Sequence, residues 1–165
     1  MATSRRAKQT ATEKETPSLT AEDWSLKKNI AYRMACVIFR MDQELRDSVL
    51  RELDLTYAHF RVLQILFEND GQKIGDIARS IVMQQPALSR VIDQMETRKL
   101  VQRKQDKDDS RFMRVYLTKT GKKSYEQAWP SAHDIMTRAM EVVSEEERTQ
   151  LCDVLTRIDN HMQKS

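Results

Sequence analysis

The sequence predicts a mainly α-helical fold with a small β-wing: a winged helix-turn-helix, dimerised through its N- and C-terminal helices. Three observations predict it. Apolar residues recur at spacings of three and four along most of the chain, with only three Gly and three Pro to interrupt them, so long helices dominate. Two short strand-like runs, 101–104 and 113–118, bracket the hydrophilic "QDKDDSR", which is hairpin patterning. The terminal helices carry apolar stripes that need a partner, and a second copy of the chain is the nearest one.

The elements follow in order. Residues 1–18 are polar and poor in apolar groups, a disordered basic tail. Residues 19–165 form a single domain, with the winged helix-turn-helix at about 56–118 and dimerisation helices at about 20–53 and 119–163. Thr20 to Asp23 resembles a capping box. From Asn29 to Leu53 the residues Ile30, Met34, Val37, Ile38, Met41, Leu45, Val49 and Leu53 make one long amphipathic stripe. Thr56 caps a second helix through Phe67, which turns Phe60, Leu63, Leu66 and Phe67 to a core, and Gly71 follows as its terminator. A short piece at Gln72–Ile74 leads into a brief helix, Gly75–Ile81. The next helix runs from Gln85 to Arg98 with Leu88, Val91, Ile92 and Met95 inward, and Pro86 suits its first turn. After the hairpin, a helix from Lys119 to about Val143 carries Pro130 as a kink. Ser144 and Glu147 form a full capping box that opens the last helix, striped by Leu151, Val154, Leu155, Ile158 and Met162.

Composition narrows the function. The net charge of +3 hides an uneven distribution: residues 84–123 hold eleven Lys/Arg against five Asp/Glu, and residues 126–165 hold four against eight. Basic charge gathered on one element is the footprint of a polyanion. No run of 18 uncharged apolar residues exists, so no membrane span is expected, and no apolar segment follows the basic N-terminus to make a signal peptide. Two distant Cys without CxxC spacing fit a reducing cytoplasm. There is no Ser/His/Asp elbow, Gly-rich phosphate loop or HExxH, and His59, His133 and His161 are scattered. Neither an enzyme nor a metal or other cofactor is expected.

The helix start at "MQQPALSR" has a physical reading. In a helix-turn-helix the second helix enters the major groove by its N-terminus. The Gln84 and Gln85 amides suit adenine, Pro86 and Ala87 suit a thymine methyl, Ser89 a phosphate or base, and Arg90 a guanine or the backbone. In the wing, Arg111 stands two residues after Asp109, close enough to be braced and inserted into a minor groove. Lys104, Lys107 and Arg114 add phosphate attraction. The expected partner is double-stranded DNA with a pseudo-palindromic operator, read by a homodimer.

The segments "LDLTYAHFRVLQIL" (53–66), "IGDIARSIVMQQPALSRVIDQMETRKLVQRK" (74–104) and "DDSRFMRVYLTKTG" (108–121) resemble the MarR (multiple antibiotic resistance regulator) family of dimeric winged-helix repressors. The resemblance covers roughly residues 28–162. Lys99 departs from it, standing where the family mostly has Gly after the recognition helix. It implies a cytoplasmic transcription regulator, a repressor released by a small anionic or aromatic ligand in a cleft between dimer helices and DNA-binding lobe. Tyr32, Arg33, Cys36, Arg40, His59 and His133 are the candidate lining, with Arg33 or Arg40 as charge partner of a carboxylate. Arg61 occupies the place of the Asp found in urate-responsive relatives, which argues against urate. Two alternatives stand beside this reading. Cys36 as a redox sensor is one, although Tyr32 holds the place of the sensing Cys in peroxide-responsive relatives. A winged-helix interaction module without DNA binding is the other.

Overall fold

A computed structural model describes residues 25–106, 109 and 111–163. The tail, the Thr20–Asp23 cap and Lys107 lie outside the described residues. The described residues divide after Val37 into two units, the first ending at Val37 and the second beginning at Ile38.

In the first unit, a turn at residues 26–28 leads into α1 (Ile30–Leu45), whose start is held by Asn29 Oδ1 accepting the Tyr32 N–H at 2.9 Å. In this part of α1, Ile30, Met34 and Val37 are exposed.

The second unit holds the core. The long stripe predicted to Leu53 is not one α-helix: α1 ends at Leu45 and a π-helical turn, Arg46–Leu50, continues it. There the Arg51 N–H reaches back five residues to the Arg46 carbonyl at 3.1 Å. Widening the turn brings Leu45 and Leu50, also five apart, onto one buried side, which ordinary helical spacing would not do. Helices α2 (Tyr57–Glu68), α3 (Ile74–Ser80) and α4 (Gln85–Thr97) follow, with β1 (Gln72–Lys73) between the first two. Strands β2 (Val101–Gln105) and β3 (Met113–Leu117) form the wing, and α5 (Lys119–Met140) and α6 (Glu145–Met162) end the chain. The sheet order is β1-β3-β2, all antiparallel, with Val101 opposite Leu117 and Gln72 opposite Val115.

The core is built mainly from one face each of α2, α3, α4, β3 and α5: Leu63 and Leu66 of α2, Ile77 of α3, Leu88, Ile92 and Met95 of α4, Val115 of β3 and Tyr125 of α5. Phe67, predicted inward, is 43% exposed and lies with its ring centroid 4.7 Å from that of Tyr125. Pro130 sits inside α5 without ending it. The Ser144 box is present, with Glu147 Oε2 accepting the Ser144 N–H at 2.9 Å. Gly71 adopts φ +73° and is buried, and a Cβ there would lie 2.7 Å from the Tyr116 ring. Along α6, Leu151, Val154, Ile158 and Met162 are exposed and none of its residues is buried.

Candidate nucleic-acid interface and effector cavity

The first turn of α4 is open. Gln84 is its N-cap but makes no side-chain cap bond, and Pro86 lies in the first turn. Gln84, Gln85, Pro86, Ala87 and Arg90 are all exposed, while Ser89 is half-buried. The amides and Arg90 are thus free of structural duty, and the helix dipole adds a positive end to the same face.

What orients α4 is a set of contacts that sequence reading missed. Arg103 of β2, with its side chain only 19% exposed, pairs with Asp93 at 2.6 Å and Glu96 at 2.9 Å. Its other guanidinium nitrogen donates to the Ser89 carbonyl at 3.3 Å. The wing strand is therefore clamped to the exposed side of α4, so helix and hairpin are held as a unit. At the far end, Arg98 donates to the Leu53 carbonyl at 3.1 Å and to the Asp54 carbonyl. Spacing gave no signal for either clamp, since the partners lie 7 to 45 residues away.

The wing is braced as well. Arg111 meets Asp109 in a fork, Nε to Oδ1 at 2.9 Å and Nη2 to Oδ2 at 2.7 Å, yet its side chain stays 83% exposed. The hydrogen bonds from Arg111 hold the Asp109 carboxyl below its usual range, and Asp109 in turn raises the guanidinium. Both groups are charged at any working pH, so the arm keeps its shape. Arg114 is used differently from the surface cation that sequence implies. It donates from Nε to Asp106 at 2.5 Å and from Nη1 to the Gly71 carbonyl at 2.9 Å, which ties the wing base to β1. Asp106 is buried, so this pair is a strut. Lys104 is exposed and its Nζ stands 5.1 Å from the Tyr116 ring centroid. Lys73 and Phe112, which sequence reading passed over, form a second pair at the wing at 4.0 Å.

Residues 55–112 match the family model described as MarR family. This part of the winged helix is similar to the MarR family. The relatives of the wider chain are transcription regulators. The chain is 28% identical over 134 residues to YkoM, an uncharacterized HTH-type transcriptional regulator of Bacillus subtilis (strain 168), covering 80% of this chain and 86% of that one. It superposes on a MarR-family transcriptional regulator from Silicibacter pomeroyi with a TM-score of 0.76 at 29% identity, covering 85% of this chain and 94% of the other. S. aureus MepR, solved as a DNA complex, matches with a TM-score of 0.71 at 26% identity, over 79% of this chain and 96% of that one.

Behind the winged helix lies a cavity of about 200 Å³, walled by the end of α1, by α2 and by α5. Met41, Leu45, Phe60, Trp129, Ile135 and Met136 give it an apolar lining, and Asp42, Tyr57, Arg61, Gln64 and His133 supply the polar groups. Arg61 is half-buried and its Nη1 donates to Gln64 Oε1 at 2.7 Å. Burial raises the Asp42 carboxyl above its ordinary value, against the lowering effect of the Tyr57 hydroxyl bonded to it and of Arg46 and Arg61. Burial likewise raises the Tyr57 phenol.

Of the candidate lining residues, His133 is in this wall, whereas Arg40 and His59 are not. Arg40 is exposed, and His59 is buried at the start of α2, against Gln94 and Arg98 of α4. In the first unit, Tyr32 is exposed, Arg33 Nε donates to the Lys27 carbonyl at 2.7 Å, and the Cys36 thiol is partly covered. Among the described residues no cluster of His, Cys, Asp or Glu is placed to hold a metal ion, and no helix is long and apolar enough to cross a membrane.

Proposed function

We propose that this MarR-family, DNA-binding transcription regulator is a homodimeric repressor of the cytoplasm, released from a pseudo-palindromic operator by a small aromatic ligand. The observation that carries the DNA reading is the pairing of an unencumbered α4 first turn with an exposed, braced Arg111 on one clamped unit. Gln84, Gln85, Pro86, Ala87, Ser89 and Arg90 read the major groove, Arg111 enters the minor groove, and Lys104 contacts phosphate. MepR, which has been solved with DNA, supports the same use of the shared fold.

Dimerisation is supported by the exposed stripe of α6 and by Ile38 and Phe39 of α1, more than half of whose surface is open in the single chain. Two domains related by a two-fold axis would present their α4 helices about 34–36 Å apart, one turn of DNA. The effector reading rests on the cavity. Its volume is below the roughly 300–1,000 Å³ of drug-sized sites, so it admits a single substituted ring, stacked on Trp129 or Phe60. Arg61, in place of Arg33 or Arg40, is the cation for a carboxylate there.

Two measurements test the reading. Light scattering on the full chain should give about twice the 19.4 kDa chain mass. A gel shift against a genomic fragment selected by the protein should be reversed by single-ring aromatic acids, and Arg61→Ala should abolish the reversal while leaving DNA binding intact. Reversal that survives Arg61→Ala would move the effector site elsewhere. A folded monomer with no DNA preference would refute the function.

A further inference from the structure

Helix α2 begins on an unusual cap. In the common capping box the residue at the third helical position is Glu or Gln, whose oxygen accepts the N-cap amide. Here that residue is His59, and its ring nitrogen Nδ1 accepts the Thr56 N–H at 3.2 Å while its own N–H donates to Thr56 Oγ1 at 3.1 Å. An accepting Nδ1 carries no proton, so the neutral ring holds its proton on Nε2. The side chain is 5% exposed, and Nε2 is buried facing the Gln94 amide of α4 without a hydrogen bond of normal geometry.

The charges that act on the ring are Arg98, at the C-cap of α4, and Asp54. Arg98 approaches from α4 and is itself paired with Asp54, which follows the π-helical turn, at 3.3 Å. Arg46 and Arg51 of that turn and its flank line the same depression. Arg51 is paired with Asp47 at 3.3 Å, so Arg98 is the guanidinium that bears on the imidazole, with Asp54 as its counterweight.

Protonation breaks this arrangement in two ways. The imidazolium carries N–H on both nitrogens, so Nδ1 turns from acceptor into donor and faces another donor, the Thr56 amide. It also places a buried positive charge beside Arg98. Both effects fall on the junction of α2 with α4, the helix whose first turn reads DNA in the function proposed above.

We propose that His59 is an acid-sensitive latch between α2 and the recognition helix: neutral, it holds α4 in its DNA-competent setting, and protonated, it releases it. This rests on the DNA-binding reading. Burial foremost, and Arg98 after it, lower the imidazole from its ordinary value, while Gln94 and Asp54 pull the other way. The unfolded chain therefore takes the proton first. The stabilisation from neutral His59 is complete above about pH 6.5, the unperturbed value, and is lost as pH falls below it through the folded value.

The test uses the full chain and a duplex that the wild type selects from random-sequence DNA, with affinity measured at about pH 7.5 and about pH 5.5, either side of the ordinary imidazole value. Thermal melting over the same range, without DNA, gives a second readout. His59→Gln keeps a capping acceptor and removes the proton. The wild type should lose affinity by roughly two- to thirty-fold on acidification, the range expected for loss of a helix cap. His59→Gln should bind as tightly as wild type at the higher pH and change little, with a flatter melting profile. The NMR titration of the His59 ring in the wild type keeps the test independent of how the variant folds, and should report a midpoint below that of a free imidazole. Equal acid losses in wild type and His59→Gln would place the proton elsewhere and overturn the latch, as would a wild-type affinity flat across the range. A wild type that selects no duplex would sink the DNA-binding reading. The melting slopes would then still decide whether His59 titrates with α2–α4 stability.

Discussion

Lys99→Gly should stabilise the protein, and the size of the gain follows from backbone geometry. Lys99 adopts φ +58° immediately after the C-cap of α4. Its N–H bonds the Glu96 carbonyl and the next N–H, of Leu100, reaches the Met95 carbonyl, both at 2.9 Å. That double closure is a Schellman ending, in which the left-handed position favours glycine. A side chain there costs about 1–2 kcal/mol through the clash of Cβ with the following carbonyl. Replacing it with glycine returns part of this gain to the unfolded chain, whose added freedom is worth about 0.4–1 kcal/mol. The net expectation is a stabilisation of about 0.5–1 kcal/mol, or roughly 1–4 °C in melting temperature for a chain of this size. Lys99→Ala is the control, because it removes the charge and stem but keeps Cβ, and it should change the melting temperature little. Urea and thermal melts of the three proteins decide the matter. If Lys99→Ala gains as much as Lys99→Gly, the side chain and not the conformation was at fault. If Lys99→Gly melts lower, the strain argument fails.

Three further outcomes are expected. Val82, the exposed residue at φ +53° in the turn between α3 and α4, is β-branched and so even less suited to this conformation; Val82→Gly should raise the urea midpoint, and a fall would show that its side chain supports the turn. Gly121→Ala should destabilise by about 1–3 kcal/mol or more, since the new Cβ would lie 2.0 Å from the Leu100 carbonyl oxygen; unchanged melting would contradict that packing. Asp42→Asn should raise stability at neutral pH, because the raised carboxyl favours its proton in the folded state, so the ionised form costs stability as pH climbs above the ordinary value of 3.8; a wild-type and variant stability gap that does not grow from acid to neutral pH would rule this out.

The sequence by itself determined the order of elements, because that order rests on local periodicity and punctuation. Hydrophobic spacing placed six helices, the Ser144 box started the last one, and the charged loop between 101–105 and 113–117 marked the wing. The exposed polar residues at the start of α4 were legible for the same reason, as were Asp109 and Arg111, which are only two residues apart and brace each other locally. Tertiary structure decided whatever depended on partners distant in the chain. It turned Arg114 inward to Asp106 and Gly71, 43 residues from the latter, and used Arg103 to clamp the wing to α4. It also replaced the last turns of a continuous stripe with a π-helical turn, since burying both Leu45 and Leu50 outweighed regular helix geometry. The same holds for the two residues misjudged as neighbours, His59 and His133. Both are plausible cavity residues on paper, but His59 faces α4 and His133 the cavity, because which way each points depends on how α2 packs between α4 and α5, a matter of shape that no single helix's sequence encodes.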